Sequence, residues 1–475
     1  MQLNATLIEY LKMTPEITLL LGACVVLLGG AFASQHRNSL YVLTQIVLLA
    51  VIGLSIAPLN GQVTELFNSF YIVDSLAVFA KTAMCILMVV VLVYSRSYIE
   101  THNLPAGEYY ALALFSLLGM MLISSASHLL MIYLGLELLS LSMYALVAME
   151  RDNSMSSEAA IKYFVLGAIA SGFLLYGISL IYGLTGTLYL SELAVENEAG
   201  IGVIAATIFI VIGLAFKLGA VPFHMWLPDV YQGAPLPVTL LIGSVPKIAG
   251  LLLALRLLVN GVPYMHEYWQ QSLIVLSVLS LLIGNIVAIA QTNLRRMLGY
   301  STIGHVGYIL LGLLVGNQQG YTAALFYTLI YALMSSAVFG SLLCSERMSR
   351  PLNDLTDLKG LARAYPWLAF LLLLLMFSMA GIPMTVGFYA KLNILQVLIA
   401  NDGVILAIIA VVSSVIGAFY YLRVIKLMYF DENEHQQVSS MPAGHISVLS
   451  VHALLVVGLF LFPQALIQLC QQAFS

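Results

Sequence analysis

Apolar runs of about 20 residues recur along this chain from end to end, with few charges inside them. A helix of that length just crosses a hydrocarbon core about 30 Å thick. In lipid every backbone N–H and C=O must find its partner within the chain, so only helices and closed barrels span. The sequence therefore predicts an all-α, polytopic membrane bundle of about fourteen transmembrane helices. The spans fall near 15–33, 39–58, 73–95, 108–125, 128–149, 159–183, 202–221, 238–258, 272–291, 297–315, 320–344, 366–399, 403–429 and 445–470.

Composition agrees. Of 475 residues, 61% are hydrophobic and 8% charged, against about 25% charged in a soluble domain. The net charge of −4 and the lack of a basic stretch set nucleic-acid binding aside. Cys24, Cys85, Cys344 and Cys470 are far apart, with no CxxC pair, so no iron–sulfur cluster or zinc site is expected on this chain. The first sixteen residues lack the basic start of a secretory signal, so the first apolar segment is expected to stay as an anchor.

Two spans are irregular. The seventh runs into Pro222 and is expected to resume as a short half-helix through Tyr231; the twelfth is interrupted at Ala380-Gly381-Ile382-Pro383. Spans four to eight and nine to thirteen each hold five helices, so the second set would be inverted relative to the first. The expected division is 1–107 (three N-terminal helices), 108–258 and 259–430 (the two repeats) and 431–475 (the last helix). The match is loose: Lys217 precedes its proline by five residues, whereas Lys391 follows its own by eight.

Orientation follows from Lys and Arg, which are enriched on the cytoplasmic side. Odd-to-even connections carry Arg37, Arg96, Arg151, Arg295, Arg296, Arg347, Arg350, Lys359, Arg363, Arg423 and Lys426, while the other face has Lys12 and Arg256. Both termini are therefore expected in the periplasm of a bacterial inner membrane.

An ionisable group at bilayer depth costs at least about 2.5–3.5 kcal/mol, so each is a functional candidate. Glu137 lies mid-span in the fifth helix, Lys217 in the seventh, Lys247 in the eighth and Lys391 in the twelfth. About ten residues separate Lys247 and Lys391 from either helix end, too far for their amines to reach an interface. For Lys81 and Lys162 that snorkelling role stands beside the functional one. His36, His102 and His435 fall in loops, but His224 follows the seventh-helix break and His305 lies within the tenth span. An imidazole titrates near neutrality and can pass a proton on; a buried histidine can equally be structural. Tyr300, Ser301, Thr302 and Tyr308 supply hydroxyls for a water chain or for helix packing. Glu158, Asp229, Asp354 and Asp357 lie near span ends or in loops and are expected to be solvated.

Over nearly its whole length the chain resembles the antiporter-like proton channel subunits of respiratory complex I and of multisubunit cation/proton antiporters. The specific stretches are Phe216–Pro235 (FKLGAVPFHMWLPDVYQGAP), Gln291–Ser301 (QTNLRRMLGYS) and Ala380–Lys391 (AGIPMTVGFYAK). Glu158–Tyr176 (EAAIKYFVLGAIASGFLLY) is similar to the subunit N branch. Lys391 favours that branch too, since subunit M would be expected to hold Glu there, and no long lateral helix of the kind expected of subunit L follows the last span.

The resemblance implies that Glu137 pairs with Lys217, and that Lys247 and His305 bridge towards Lys391 on the exit side. It implies no cofactor on this chain, with NADH, FMN, iron–sulfur clusters and quinone handled by partner subunits. Implied partners are the neighbouring subunit M and small membrane subunits such as K, J and A. Lys81 matches no motif of the family. A cation/proton antiporter subunit without a redox partner is the alternative.

Overall fold

Eleven helices among the described residues are long and apolar enough to cross a membrane, or twelve if one bent pair forms a single span. The computed structural model describes residues 9–32, 35–56, 63–193, 200–346, 351–432 and 443–474; Arg347, Arg350 and His435 lie outside them. In chain order come α1 (Thr14–Phe32), α2 (Arg37–Ile56), strands β1 (Thr64–Leu66) and β2 (Tyr71–Val73), α3 (Ser75–Thr101), α4 (Ala106–Ser124), α5 (Leu129–Val147), α6 (Ser154–Thr185) and α7 (Ile201–Leu218). The half-helix α8 (Trp226–Gly233) follows, then α9 (Leu236–Gly243), α10 (Val245–Ala254), α11 (His266–Ile289), α12 (Leu294–Leu314) and α13 (Gln318–Ser345). The chain ends with α14 (Pro366–Ala380), α15 (Val386–Ala400), α16 (Val404–Tyr429), α17 (Ala443–Gly458) and α18 (Pro463–Gln472).

The seventh and twelfth spans break where proline and glycine stand, as the sequence predicts. Two further interruptions were not expected. The eighth span kinks at Ser244 (φ −123°, ψ −85°), just ahead of Pro246, and ends in a π-helical segment, Leu255–Gly261. The last span bends by 82° between Gly458 and Pro463. A small hairpin also departs from an all-α chain: β1 and β2 pair antiparallel, with Leu66 opposite Tyr71, around a turn in which Phe67, Asn68 and Ser69 all have positive φ.

Two compact units divide the chain. The first comprises Met1–Leu214, Ile248–Trp269 and Gln472–Ser475, the second Ala215–Lys247 and Gln270–Gln471. In the first, α4 packs backbone to backbone with a neighbour on either side. A Cβ on Gly107 would lie 2.4 Å from the Cα of Gly30 in α1, and one on Gly119 would lie 2.5 Å from the carbonyl oxygen of Gly135 in α5. Small residues at such crossings are how membrane helices gain contact without a hydrophobic drive. The hairpin closes one end of this unit: Ile72 N–H donates to the Ser125 carbonyl, and Phe70 stacks on His128 at 3.9 Å.

In the second unit α13 is central, with 94% of its most apolar stretch buried. Helix α16 shows the inside-out pattern of a lipid-facing helix. Ile405, Ile408, Val412, Val415, Phe419 and Leu422 form an exposed stripe at helical spacing, while Ala407, Ala410, Ser413, Gly417, Tyr420 and Tyr421 face inward. Polar caps start these helices: Asn293 accepts from Arg296 N–H and Asn317 from Gly320 N–H. Asp357, expected in solvent, is buried instead, because its carboxylate accepts the backbone N–H groups of Asn353 and Asp354.

Candidate functional site

The breaks create the site. α14 ends at Gly381, whose φ of +80° turns the chain away, and α15 starts afresh at the N-cap Thr385. The last-turn carbonyls of a helix have no intrahelical partner and carry the negative end of its dipole. An ammonium has three donors and no acceptor. Lys391 uses this match: its Nζ donates to the Ala380 carbonyl at 2.8 Å, the Met379 carbonyl at 3.4 Å and Ser414 Oγ at 3.0 Å. The missing side chain of Gly381 makes room, for a Cβ there would sit 2.9 Å from Lys391 Cδ.

Lys247 repeats the device. Helix α7 ends at Leu218, followed by Gly219 with φ +82°. Lys247 Nζ donates to the Leu218 carbonyl at 3.1 Å and lies 6.0 Å from the Trp226 ring centroid. That ring is itself held by its indole N–H on the Phe216 carbonyl at 3.0 Å. Lys247 and Lys391 are 2% and 8% exposed, so the carbonyls replace the water each amine has lost.

His305 is also buried, one helix turn beyond Ser301 on α12. Its Nδ1 is 2.7 Å from the Tyr327 hydroxyl and its Nε2 is 3.1 Å from that of Tyr421. Ser301 bonds to the same Tyr421 hydroxyl, Tyr331 donates to Thr302 at 2.8 Å, and Tyr308 donates to the Ala410 carbonyl at 2.7 Å. The Tyr308 ring lies between the two basic groups: it stacks on Tyr327 with centroids 5.4 Å apart, and Lys391 Nζ lies 5.3 Å from its centroid.

The other predicted residues are placed as follows. Glu137 belongs to the first unit, where it accepts a hydrogen bond from Ser171. Lys217 belongs to the second, in the last turn of α7. His224 is buried beyond the break, with Nδ1 lacking a hydrogen-bond partner. Lys162 is half exposed and pairs with Glu158 at 2.7 Å, one turn away; such a pair contributes about 0.3–0.5 kcal/mol. Asp229 pairs with Arg296. All four cysteines are free thiols, and among the described residues no group of three or more His, Cys, Asp or Glu side chains is placed to hold a metal ion.

Two buried ionic groups in the first unit escaped the sequence. Lys81 pairs with Glu16 at 2.6 Å and donates to the Tyr71 hydroxyl at 2.7 Å. Arg256 reaches both oxygens of Asp74, at 2.7 and 2.8 Å, and the Ser124 carbonyl. A signal existed for the first: Glu16 and Lys81 are opposite charges near the same end of spans one and three. Nothing local links Arg256 to Asp74, 182 residues away.

The sequence pattern of the family described as "NADH:quinone oxidoreductase/Mrp antiporter, TM" matches residues 126–417. The chain is 49% identical over 473 residues to NADH-quinone oxidoreductase subunit N of Thioalkalivibrio sulfidiphilus, covering 98% of each. It is 46% identical over 478 residues to the Thiobacillus denitrificans subunit N, covering 100% of this chain and 99% of that one. This chain belongs to the NADH-quinone oxidoreductase subunit N family. Among solved structures it is similar to a chain of respiratory complex I from Thermus thermophilus, with a TM-score of 0.82 and 30% identity over 96% of this chain and 98% of that one. Within this subunit N sequence, Glu137, Lys217, Lys247, His305 and Lys391 all lie inside the matched family region, whereas Glu16, Tyr71 and Lys81 precede it.

Proposed function

We propose that this chain is a membrane-embedded, proton-translocating subunit of NADH-quinone oxidoreductase, and that Glu137, Lys217, Lys247, His305 and Lys391 carry the protons. The observation that carries this reading is the pair of membrane-buried lysines, Lys247 and Lys391, each seated on carbonyls released at a broken helix. Among the described residues neither amine has a carboxylate partner at ion-pair distance. Such an amine is held in place whether charged or neutral, and its charge is sensitive to any nearby change in field.

The family resemblance implies that Glu137 pairs with Lys217, and in this reading that pair supplies the change. At about 4 Å and an effective dielectric near 20, a carboxylate holds an ammonium by about 4 kcal/mol. Moving one charge against a potential on the order of 180 mV takes about 4 kcal/mol. Drawing the pair apart therefore weakens the hold on the Lys217 proton by about the work of one translocation. The proton then passes by Lys247 and His305 to Lys391, and Lys162 and His224 stand beside the route. Oxidation of NADH and reduction of quinone take place in other subunits, which hold FMN, the iron–sulfur clusters and the quinone; subunit M and the small subunits K, J and A are the expected neighbours.

The chain then has fourteen spans: the eleven long helices, α12, the pair α14 and α15, and the bent pair α17 and α18. With the Lys and Arg bias this puts both termini in the periplasm of an inner-membrane protein. Spans four to eight and nine to thirteen are the inverted repeats. The antiporter alternative is not favoured, because the full-length relatives are oxidoreductase subunits.

The test is proton uptake per NADH oxidised in inverted membrane vesicles carrying the assembled complex with Glu137→Gln, Lys217→Ala or Lys247→Ala. Each variant should lower that ratio. An unchanged ratio in a correctly assembled variant refutes the path.

A further inference from the structure

We infer that Tyr421 and Tyr327 are relay residues which carry the proton through His305; the inference rests on the proton path proposed above. The imidazole sits between three helices and is 4% exposed, and the two tyrosines are 1% exposed each. Its two nitrogens are bonded to two phenol hydroxyls, Tyr327 at Nδ1 and Tyr421 at Nε2.

The choice of partners is informative. A neutral imidazole has one N–H donor and one bare acceptor nitrogen. A carbonyl or carboxylate at one nitrogen would fix which of them carries the proton. A hydroxyl donates or accepts, so here both tautomers are satisfied with no heavy atom moving. A histidine kept only for packing has no use for that freedom, while a proton carrier depends on it. The Tyr421 hydroxyl is bonded on its far side to Ser301, one turn nearer the start of α12. Tyr327 lies on the other side of the ring, stacked on Tyr308, which Lys391 overlies.

The transfer balances. A proton reaching the Tyr421 oxygen from the Ser301 side displaces that hydroxyl's own proton onto Nε2. The proton on Nδ1 passes to the Tyr327 oxygen, and the Tyr327 proton leaves through water to the neutral Lys391 amine, past the stacked Tyr308 ring whose own hydroxyl stays on the Ala410 carbonyl. One proton enters and one leaves. Both phenols and the ring end neutral, and the ring is left in its other tautomer. A second proton cannot follow in the same direction until the ring is reset, so the triad delivers protons singly.

The experiment uses the assembled complex in inverted membrane vesicles, with proton uptake and NADH–quinone reductase activity measured together. Tyr421→Phe and Tyr327→Phe should each slow proton uptake at least about tenfold relative to NADH oxidation in this subunit's share, the lower end of what a positioned proton-transfer group contributes being larger still. Because the two hydroxyls act in series, the double variant should be no worse than the poorer single one. Tyr331→Phe is the control, since that buried ring packs 4.8 Å from His305 but its hydroxyl bonds to Thr302. It should pump normally. Tyr421→3-fluorotyrosine keeps the hydroxyl and the packing while making the phenol more acidic, and should shift the pH profile of pumping.

Wild-type stoichiometry in both Phe variants overturns the relay. So does a Tyr331→Phe defect equal to that of Tyr421→Phe, or an unshifted pH profile in the fluorinated protein. If His305→Gln abolishes pumping while the Phe variants pump normally, the relay alone fails. If His305→Gln also pumps normally, the underlying path fails.

Discussion

Removing one charge from the Glu16–Lys81 pair should destabilise the first unit far more than removing both. Lys81 Nζ lies 2.6 Å from Glu16 Oε1, and the side chains are 6% and 2% exposed, so neither charge has water to fall back on. Lys81→Met leaves a bare carboxylate among apolar groups, and Glu16→Gln leaves a bare ammonium with only the Tyr71 hydroxyl beside it. Breaking a buried pair from one side costs about 3–5 kcal/mol. The double variant Glu16→Gln/Lys81→Met removes the desolvation of both ions and keeps the volume, a change that is often neutral or stabilising by about 1–4 kcal/mol. With two single losses of about 3 kcal/mol or more and a double loss near zero, the coupling energy of the cycle should be on the order of 6 kcal/mol. Heat-induced loss of the folded subunit from detergent-solubilised membranes, compared across the four proteins, measures it. A double-variant loss equal to the sum of the two single losses would show that the two groups are not coupled, and the reasoning from burial and distance would be wrong.

Gly381→Ala should cost about 1–2 kcal/mol for a left-handed backbone position, and its Cβ would press on the Lys391 stem, 2.9 Å from Cδ. Proton uptake should fall while reductase activity in the assembled complex stays. At the hairpin end of the first unit, outside the spans, burial holds the His128 imidazole below its ordinary value. Its neutral form is the folded form, so the stability it contributes is present above about pH 6.5, the unfolded value, and is lost as pH falls towards the lowered folded value. Backbone hydrogen exchange at Ile72 and Ser127, corrected for intrinsic rate, should accelerate below that pH in the wild type and not in His128→Asn.

How far the fold was legible follows from the range of each signal. Long apolar runs are local, so the long spans lie within a few residues of their predicted places; the widest offsets are at the end of α3 and the start of α11. Proline and glycine are local breakers, which exposed the interruptions at Pro222 and Pro383. The kink at Ser244 was hidden because Pro246 sits at the second position of α10, where a proline is tolerated without ending a helix. Ionic partners were the least visible. Tyr421 reaches His305 across 116 residues, and Arg256 reaches Asp74 across 182. No periodicity reports such distances; only the unfavourable burial of a charge hints that a partner exists.

The two breaks differ in spacing and agree in what is bound at them. Measured from the prolines, Lys217 and Lys391 fall on opposite sides of their breaks, and the halves look poorly matched. Measured by what the amines touch, Lys247 is the counterpart of Lys391. Lys247 binds the carbonyl just before Gly219 from 29 residues downstream, and Lys391 binds the carbonyl just before Gly381 from 11. One physical solution, an ammonium on the negative end of a helix stopped by a left-handed glycine, is built from two unrelated separations. What the two sites share is the carbonyl cluster, not the interval. Deleting that cluster by straightening either break should therefore impair its lysine even with every charged residue left in place.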